Sequence, residues 1–196
     1  MWKYVFTIFF FVTSLNPILA QVDNPARIPQ IEKYLANLKT FEADLTQQNP
    51  DGSQARGKFF LNRPKKFRIK YTEPKELILV SDGSFFIEYD PKEDIPNFIS
   101  LESTPASLFL QDKITLSGEV SIRYLKEKDG LIFVELYKTK DPDVGSITLI
   151  FSDKPMSMIG WIINDAQQNT TAITLQNIKE NQPIQDSLFE TARIKP

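Results

Sequence analysis

RGKFFLNRPKKFRIKYTEPKELILVSDGSFFIEYD, residues Arg56–Asp90, is the stretch that decides the fold. It contains four short apolar runs separated by residues that favour turns, namely Arg63-Pro64, Glu73-Pro74 and Ser81-Asp82-Gly83. Apolar runs of this length between turn signals are typical of strands joined by hairpins. The stretch therefore predicts a local antiparallel sheet.

The spacing of apolar residues in this stretch predicts which side chains share one face of the sheet. Apolar and basic residues alternate in Lys65–Tyr71, the same period recurs in Ser84–Asp90, and Leu77–Val80 is apolar at every position. Alternation indicates one buried face, whereas a continuous apolar run indicates a strand covered on both faces. The side chains predicted to face a common apolar interior are Phe67, Ile69, Tyr71, Leu79, Phe85, Ile87 and Tyr89. This assignment depends on alternation alone, and a one-residue slip would invert it.

The chain on either side of this stretch extends the sheet and adds two helices. Pro25–Lys39 carries an apolar stripe at helical spacing from Ile28 to Leu38, and Ala106–Gln111 follows a helix-start signal at Thr104-Pro105. Further strands are predicted at Thr40–Gln48, Phe98–Leu101, Ser121–Lys126, Leu131–Lys138, Gly145–Ser152, Met156–Asn164 and Thr171–Lys179. Roughly ten strands with hairpin-length connections are too many for a flat sheet. We therefore predict a mainly β (α+β) fold, a curled antiparallel incomplete β-barrel (half-barrel).

Residues 1–20 are predicted to be a cleaved signal peptide rather than part of the fold. Lys3 supplies a positive charge, Val5–Val12 an apolar core and Ala20 a small residue at the expected cleavage site. The apolar core is far shorter than the roughly 20 residues of a membrane-spanning helix. Residues 21–196 are then expected to form a single exported, soluble domain.

The composition excludes several classes of function. The chain has no Cys and no His, which removes disulfides, thiol nucleophiles, Ser–His triads and the commonest transition-metal ligand. A net charge of −2 provides no basic footprint for nucleic acid. The pair Asp141 and Asp143 lacks the Gly and the distal Glu of a calcium loop. We therefore predict no catalytic residues, no metal site and no cofactor.

The aromatic residues point to an apolar ligand. The chain has 15 Phe, 6 Tyr and 2 Trp, and the simplest interpretation is that they fill the core. However, a strongly curled sheet cannot fill its concave face with strand residues alone, and the two short helices are the only other cover predicted. An apolar pocket with few polar groups suits a lipid. A lipid carrier, a lipid-binding regulatory module and a structural protein whose aromatics are all core remain open at this point.

Several segments match a known pattern, namely Arg63-Pro64-Lys65-Lys66-Phe67, Glu73-Pro74, Leu77–Gly83, Tyr89-Asp90-Pro91, Thr104–Leu108, Gly145–Ile150, Asn169–Leu175 and Asn177–Phe189. Together they resemble the LolA family, the periplasmic outer-membrane lipoprotein carriers. The resemblance covers nearly all of residues 21–196. Its most specific part is the Arg-Pro-x-x-Phe element followed by Ile78–Gly83.

The resemblance implies a half-barrel closed by a helical lid over a hydrophobic cavity that takes the acyl chains of lipoproteins. It also implies three partners: acylated lipoproteins as cargo, an inner-membrane ABC-type transporter that releases them, and an outer-membrane acceptor lipoprotein. A periplasmic monomer that delivers its cargo to the outer membrane is expected.

Two residues take roles from the resemblance, and a third is assigned to the cavity as a further hypothesis. Arg63 matches the family's arginine that hydrogen-bonds the lid backbone and latches the closed form, with a surface residue before a turn proline as the alternative. Phe67 matches the motif phenylalanine implied in cavity lining and transporter contact, with plain core as the alternative. Leu108 joins the predicted cavity from the second helix, as part of a lid formed by both helices.

The chain also departs from the family in ways that bear on the role. Ile69 stands where some members carry an aromatic residue, and the chain ends soon after Phe189 without the longer C-terminal extension of some members. The absence of a lipidated Cys argues against the membrane-anchored acceptor that shares this fold. The alternative function is a lipid-sensing regulatory domain of the same fold in an envelope stress pathway.

Overall fold

The computed structural model describes residues 21–81, 85–101, 110 and 114–191. These residues form one 12-stranded sheet and one α-helix, which confirms the mainly β fold. The strands are β1 Gln21–Val22, β2 Thr40–Gln48, β3 Gln54–Asn62, β4 Lys66–Glu73, β5 Leu77–Ser81, β6 Phe85–Tyr89, β7 Pro96–Ser100, β8 Val120–Lys128, β9 Leu131–Lys138, β10 Gly145–Ser152, β11 Ser157–Asp165 and β12 Thr170–Glu180. Helix α1 spans Arg27–Asn37, and short 3₁₀ helices occupy Pro142–Val144 and Asp186–Phe189.

The sheet consists of two antiparallel meanders joined side by side. Strands β2 to β7 follow one another, as do β8 to β12, and β12 pairs with β2 so that Leu175 lies opposite Leu45. The predicted hairpins are thus confirmed, and three strands, β2, β9 and β10, have the predicted bounds. The short β1 pairs with β8 in parallel, a pairing that the hairpin pattern did not predict.

The strand ends define two opposite ends of the sheet. We call one the helix end, which carries the turns at residues 62–66, 128–131 and 152–157, and the other the rim end, which carries the turns at 48–54, 73–77, 89–96 and 165–170. Every antiparallel hairpin returns the chain to the opposite end, so these turns alternate between the two. Helix α1 packs at the helix end.

Polar contacts fasten α1 to the helix end. Near its start, Arg27 forms ion pairs with Glu127 at 2.7 Å and with Asp153 at 2.8 Å. Near its end, the Tyr34 hydroxyl donates to Glu180 Oε1 at 2.6 Å and accepts from the backbone N–H of Met158 at 2.9 Å. Burial, followed by the hydrogen bond to Glu180, raises the pKa of Tyr34. The helix is therefore bound to the sheet near both of its ends.

The buried side chains form a large cluster inside the curl and a small one on the opposite face of β5 and β6. The inner cluster contains the fully buried Ile31 and Leu35 of α1 together with inward residues of most strands. The small cluster consists of Ile78, Val80 and Ile87, with Tyr89 packed against it. Strand β5 is therefore covered on both faces, as its continuous apolar run predicted.

At two glycines in the sheet, the neighbouring strand approaches so closely that a side chain would not fit. A Cβ on Gly57 would collide with the carbonyl oxygen of Lys70 on β4, and one on Gly160 would collide with that of Ile173 on β12. The register between β3 and β4 also shifts beside Gly57. Glycines and bulges of this kind allow a strand to bend, which helps the sheet to curl.

Candidate ligand-binding cavity

A cavity of about 500 Å³ lies on the concave face of the sheet. Nine strands contribute to its wall, which requires the sheet to curl around it. The lining residues are Gln47, Phe59, Phe67, Ile69, Tyr71, Leu79, Phe86, Glu88, Ile99, Leu110, Val144, Ile147, Leu149, Trp161, Ile163, Asp165, Ala166, Gln167, Thr171 and Ile173. Most of these side chains are apolar, so the wall suits a hydrophobic ligand.

An aromatic cluster lines the deep part of the cavity. The Phe59 ring contacts Trp161 with centroids 5.1 Å apart and Phe67 at 5.4 Å, and Phe67 in turn contacts Phe86 at 5.3 Å. These four residues lie on β3, β11, β4 and β6, where inward positions of separate strands converge. Phe41, further towards the helix end, packs against Phe59 at 5.7 Å. The cluster therefore gives the cavity a rigid apolar floor.

The polar lining residues lie towards the rim end. The Tyr71 hydroxyl donates to Gln47 Oε1 at 2.6 Å. In the strand order, Glu88 on β6 lies beyond Tyr71, and Asp165 on β11 lies beyond Gln47. Ala166 and Gln167 are exposed and also line the cavity, so the cavity reaches the surface at this end. An apolar floor below a polar opening is the arrangement that an amphiphile requires.

Two titratable groups at the rim, Asp165 and Tyr71, have pKa values that are shifted in opposite directions. Asp165 accepts hydrogen bonds from the backbone of Gln167 and from the backbone and side chain of Asn169, and the side-chain bond from Asn169 is the main cause of its lowered pKa. Burial, with a smaller contribution from the charge of Glu88, raises the pKa of Tyr71. Tyr71 therefore stays protonated at neutral pH and can keep donating to Gln47.

Four of the residues predicted from the sequence line this cavity: Phe67, Ile69, Tyr71 and Leu79. The prediction for β6 has the wrong parity, because Phe86 and Glu88 face the cavity whereas Phe85, Ile87 and Tyr89 do not. The register explains the inversion. Glu88 lies opposite Leu79, while Ile87 and Tyr89 lie opposite the outward residues Val80 and Ile78.

The predicted second helix, Ala106–Gln111, falls almost entirely outside the described residues. Leu108 is among the residues outside them. Leu110, the one residue of this segment that is described, is buried and lines the cavity. None of the lining residues belongs to α1, so in this structure α1 packs the helix end and does not cover the cavity.

Arg63 contacts α1 at the point where the helix ends. Its guanidinium Nη1 donates to the carbonyl oxygen of Leu35 in the last helical turn, and its backbone N–H donates to Lys39. In a continuing helix, the backbone N–H of Lys39 would donate to the carbonyl oxygen of Leu35. Here it donates to Asn181 Oδ1 at 2.8 Å instead. A cation at a helix C-terminus is favourable because the last carbonyls carry partial negative charge. The geometry is thus one of a side chain holding the end of α1.

The C-terminal half of the wall was missed by the sequence interpretation. Ile147 and Leu149 on β10, and Trp161 and Ile163 on β11, line the cavity at alternate positions. Both strands were predicted, and the same alternation would have identified these residues had it been applied there.

Two further properties concern only the described residues. They contain no cluster of three or more His, Cys, Asp or Glu that could hold a metal ion. No helix among them has both the length and the apolar character needed to cross a membrane.

A family model and curated relatives connect the chain with one family. The model of the family described as "Outer membrane lipoprotein carrier protein LolA" matches residues 36–192. An outer-membrane lipoprotein carrier protein of Pseudomonas paraeruginosa is 27% identical over 192 residues, covering 93% of this chain and 91% of the relative. A Rickettsia prowazekii protein named uncharacterized protein RP864 is 23% identical over 176 residues, covering 90% and 81%.

Among solved structures, a DUF1329 family protein from Desulfovibrio piger is similar, with a TM-score of 0.50 and 10% identity. The match covers 86% of this chain and 97% of that one. At this identity the likeness concerns the fold alone.

Proposed function

The chain belongs to the outer membrane lipoprotein carrier (LolA) family, and from this premise we propose that it is a periplasmic chaperone for lipoproteins. It takes the acyl chains of a lipoprotein released from the inner membrane and delivers the cargo to the outer membrane. The observation that supports the proposal is the apolar cavity with its aromatic floor and its polar opening at the rim end.

The volume of the cavity limits what this form of the protein can hold. A methylene group occupies nearly as much space as a water molecule, roughly 30 Å³, so about 500 Å³ holds on the order of sixteen methylenes. That is one long acyl chain. A cargo with two or three chains requires the wall to widen or part of the chains to stay at the rim.

The binding energy of even one chain is large enough for a carrier. Each buried methylene contributes roughly 0.8 kcal/mol, so one long chain contributes on the order of 10 kcal/mol. A carrier must also release its cargo, which requires a conformation in which the chain is less well covered. We propose that Arg63, by holding the end of α1 through Leu35, keeps α1 packed on the helix end and so stabilises the form in which that end of the cavity is closed.

The partners follow from the same proposal. An inner-membrane ABC-type transporter supplies the energy of release from ATP, so the carrier itself needs no cofactor, and an outer-membrane acceptor lipoprotein receives the cargo. Phe67 lines the cavity between Phe59 and Phe86 and is proposed to change its packing when the transporter engages. The carrier acts as a monomer that binds the acyl chains of one lipoprotein in its cavity.

The experiment adds the processed protein, residues 21–196, to inner-membrane vesicles that contain the transporter and an acylated lipoprotein. The soluble complex is counted with and without ATP. The Ile163→Trp variant places a larger side chain in the cavity wall near the rim, and Ile162→Trp, one residue away on the opposite face of β11, is the matched control. ATP-dependent release into a one-to-one complex is expected for the wild type and for Ile162→Trp, with reduced yield for Ile163→Trp.

Two outcomes contradict the proposal. If no soluble complex forms while a known carrier works with the same vesicles, the protein is not a carrier, and a regulatory role of the same fold gains support. If Ile163→Trp and Ile162→Trp behave alike, cargo binds elsewhere than in the cavity.

A further inference from the structure

The charged side chains on the cavity wall have a single sign. The described lining residues include two carboxylates, Glu88 and Asp165, and neither Lys nor Arg. Asp165 is occupied by its own turn, because it accepts three hydrogen bonds from Gln167 and Asn169. Glu88 differs, since no hydrogen bond or ion pair joins its carboxylate to the part of the chain that the structure describes.

The surroundings of Glu88 do not explain why a charge is placed there. It is half-buried, it lies opposite Leu79 on the same wall, and its neighbour two positions deeper on β6 is Phe86 of the aromatic floor. A half-buried carboxylate without a partner is unfavourable beside apolar side chains. An apolar residue at this position would complete the wall and enlarge the hydrophobic contact.

Lys75 interacts weakly with the charge of Glu88 but is paired with another carboxylate. Lys75 is close enough for its pKa to be raised slightly by the charge of Glu88, but the main causes of its raised pKa are its hydrogen bond and charge interaction with Asp90. The Lys75 Nζ lies 2.9 Å from Asp90 Oδ2. The Glu88 carboxylate is therefore available to a group that enters from the rim end.

We propose that Glu88 binds an ammonium group at the polar end of an acylated ligand, so that the cavity prefers cationic over anionic amphiphiles. The inference rests on the proposed function for the presence of an acyl ligand and adds the charge that this ligand carries. The acyl chain lies on the aromatic floor, and the ammonium lies at the rim beside the Glu88 carboxylate. An anionic phosphate or sulfonate at the same place is repelled by Glu88.

Two kinds of acylated ligand carry an ammonium group at the polar end. In one, it is the α-ammonium of a polypeptide that is acylated at its first residue but not on its nitrogen. In the other, it belongs to the ethanolamine headgroup of a phospholipid, in which an ammonium accompanies a phosphate. The repulsion of the phosphate by the Glu88 carboxylate favours the polypeptide.

The first experiment measures displacement of the neutral dye Nile red from the processed protein by three amphiphiles with the same chain. Dodecylamine is cationic at neutral pH, dodecanol is neutral and dodecanesulfonate is anionic. We expect the amine to bind on the order of tenfold more tightly than the sulfonate at low salt, and the difference to shrink as salt is added.

Variants separate the role of Glu88 from the general charge of the protein. Glu88→Gln should remove most of the difference between amine and sulfonate while leaving the affinity for dodecanol unchanged. Glu76→Gln is the matched control, because Glu76 is exposed and its carboxylate pairs with Lys70, which is not part of the cavity wall. Glu76→Gln should keep the wild-type preference.

The outcomes distinguish the two proposals. If dodecanol does not displace the dye, the cavity does not take acyl chains and the proposed function fails. If dodecanol binds but amine and sulfonate bind equally, or if Glu88→Gln keeps the preference, only the inference about Glu88 fails. Should Glu88→Gln not fold, Glu88→Leu, which completes the apolar wall, provides the same comparison of amine with sulfonate.

A second comparison identifies the source of the ammonium. A diacylated lipopeptide with a free N-terminus is compared with its N-acetylated form and with phosphatidylethanolamine. Weaker binding on acetylation, seen in the wild type and absent in Glu88→Gln, supports recognition of the polypeptide. Stronger binding of phosphatidylethanolamine than of the lipopeptide overturns that choice of source.

Discussion

Trp161 provides a measure of how deep an acyl chain reaches. The chain has two tryptophans, and Trp2 lies in the predicted signal peptide, so Trp161 is the one tryptophan of the processed protein. Its side chain is only 6% exposed and lies in the aromatic floor against Phe59. Asp165, four positions further along β11, lies at the rim.

The distance from rim to floor predicts the position of maximal quenching. Four residues of a strand span roughly 13 Å, and an extended alkyl chain with C–C bonds of about 1.5 Å covers that distance in about ten carbons. Bromine quenches tryptophan fluorescence on contact. A hexadecanoyl ligand brominated about ten carbons below its polar end should therefore quench Trp161 far more strongly than one brominated beside the polar end.

The assay titrates each brominated ligand into the processed protein and compares the final quenching with that of the unbrominated chain. A Trp161→Phe variant gives the background from tyrosines, and a short brominated acid gives the collisional background. Equal quenching at both bromine positions, or stronger quenching beside the polar end, would refute the orientation with the polar end at the rim.

The remaining predictions concern the latch, the helix contact, the strand parity and the response to acid. Arg63→Leu should still take up cargo but deliver it poorly, whereas Arg63→Lys, which keeps a cation at the end of α1, should be less affected; normal delivery by Arg63→Leu in a transfer assay would remove the latch role. Tyr34→Phe leaves the N–H of Met158 without its acceptor and should lower the free energy of unfolding, measured by urea denaturation, by about 1–3 kcal/mol. The control Tyr137→Phe should change this free energy little, and equal values for the two variants would contradict the role of the Tyr34 hydroxyl. Phe86→Ala should cost about 3–5 kcal/mol and Phe85→Ala about 1 kcal/mol or less, because Phe86 is buried in the floor and Phe85 is 43% exposed; the reverse order would restore the sequence-based parity. Hydrogen bonds from Lys75 and Asn169 lower the pKa values of Asp90 and Asp165, respectively, from 3.8. The two carboxylates therefore stabilise the folded protein above about pH 4, and this contribution is lost as the pH falls through the folded-state pKa values. The midpoint of urea unfolding should drop between about pH 5 and pH 3, and it should drop less in Asp165→Asn.

The sequence predicted the architecture well because alternation and turn residues are local signals. Strand β2 shows this clearly, since Phe41, Ala43 and Leu45 alternate with polar residues and are all buried. The predicted bounds of β2 and β9 match those of the structure. The parallel pairing of β1 with β8 was missed because it joins segments far apart in the sequence, and two residues carry no periodicity.

The candidate site was only partly predictable for a related reason. Strand β6, with the sequence FFIEY, has large apolar residues at both parities, so alternation offered two solutions. The register with β5 decides between them by placing Glu88 opposite Leu79. An assignment based on alternation places charged residues on the face away from the apolar interior. It is therefore wrong where a charged residue, such as Glu88, is part of the binding site. The register of the β5–β6 hairpin, which alternation within β6 alone does not contain, was needed to find Glu88.

In the part of the chain that the structure describes, α1 packs the helix end and the cavity has the form of a pouch that opens at the rim. Ile31 and Leu35 are fully buried at the helix end, and the exposed residues of the wall are at the rim. An acyl chain that enters this opening with its methyl end first leaves with its polar end first, so loading and release follow the same path in opposite directions. The shape of the cavity alone therefore does not favour either direction. In the proposed carrier, one-way transfer would therefore have to come from outside the pouch, from work done at loading and from an acceptor that binds the same acyl chain more tightly.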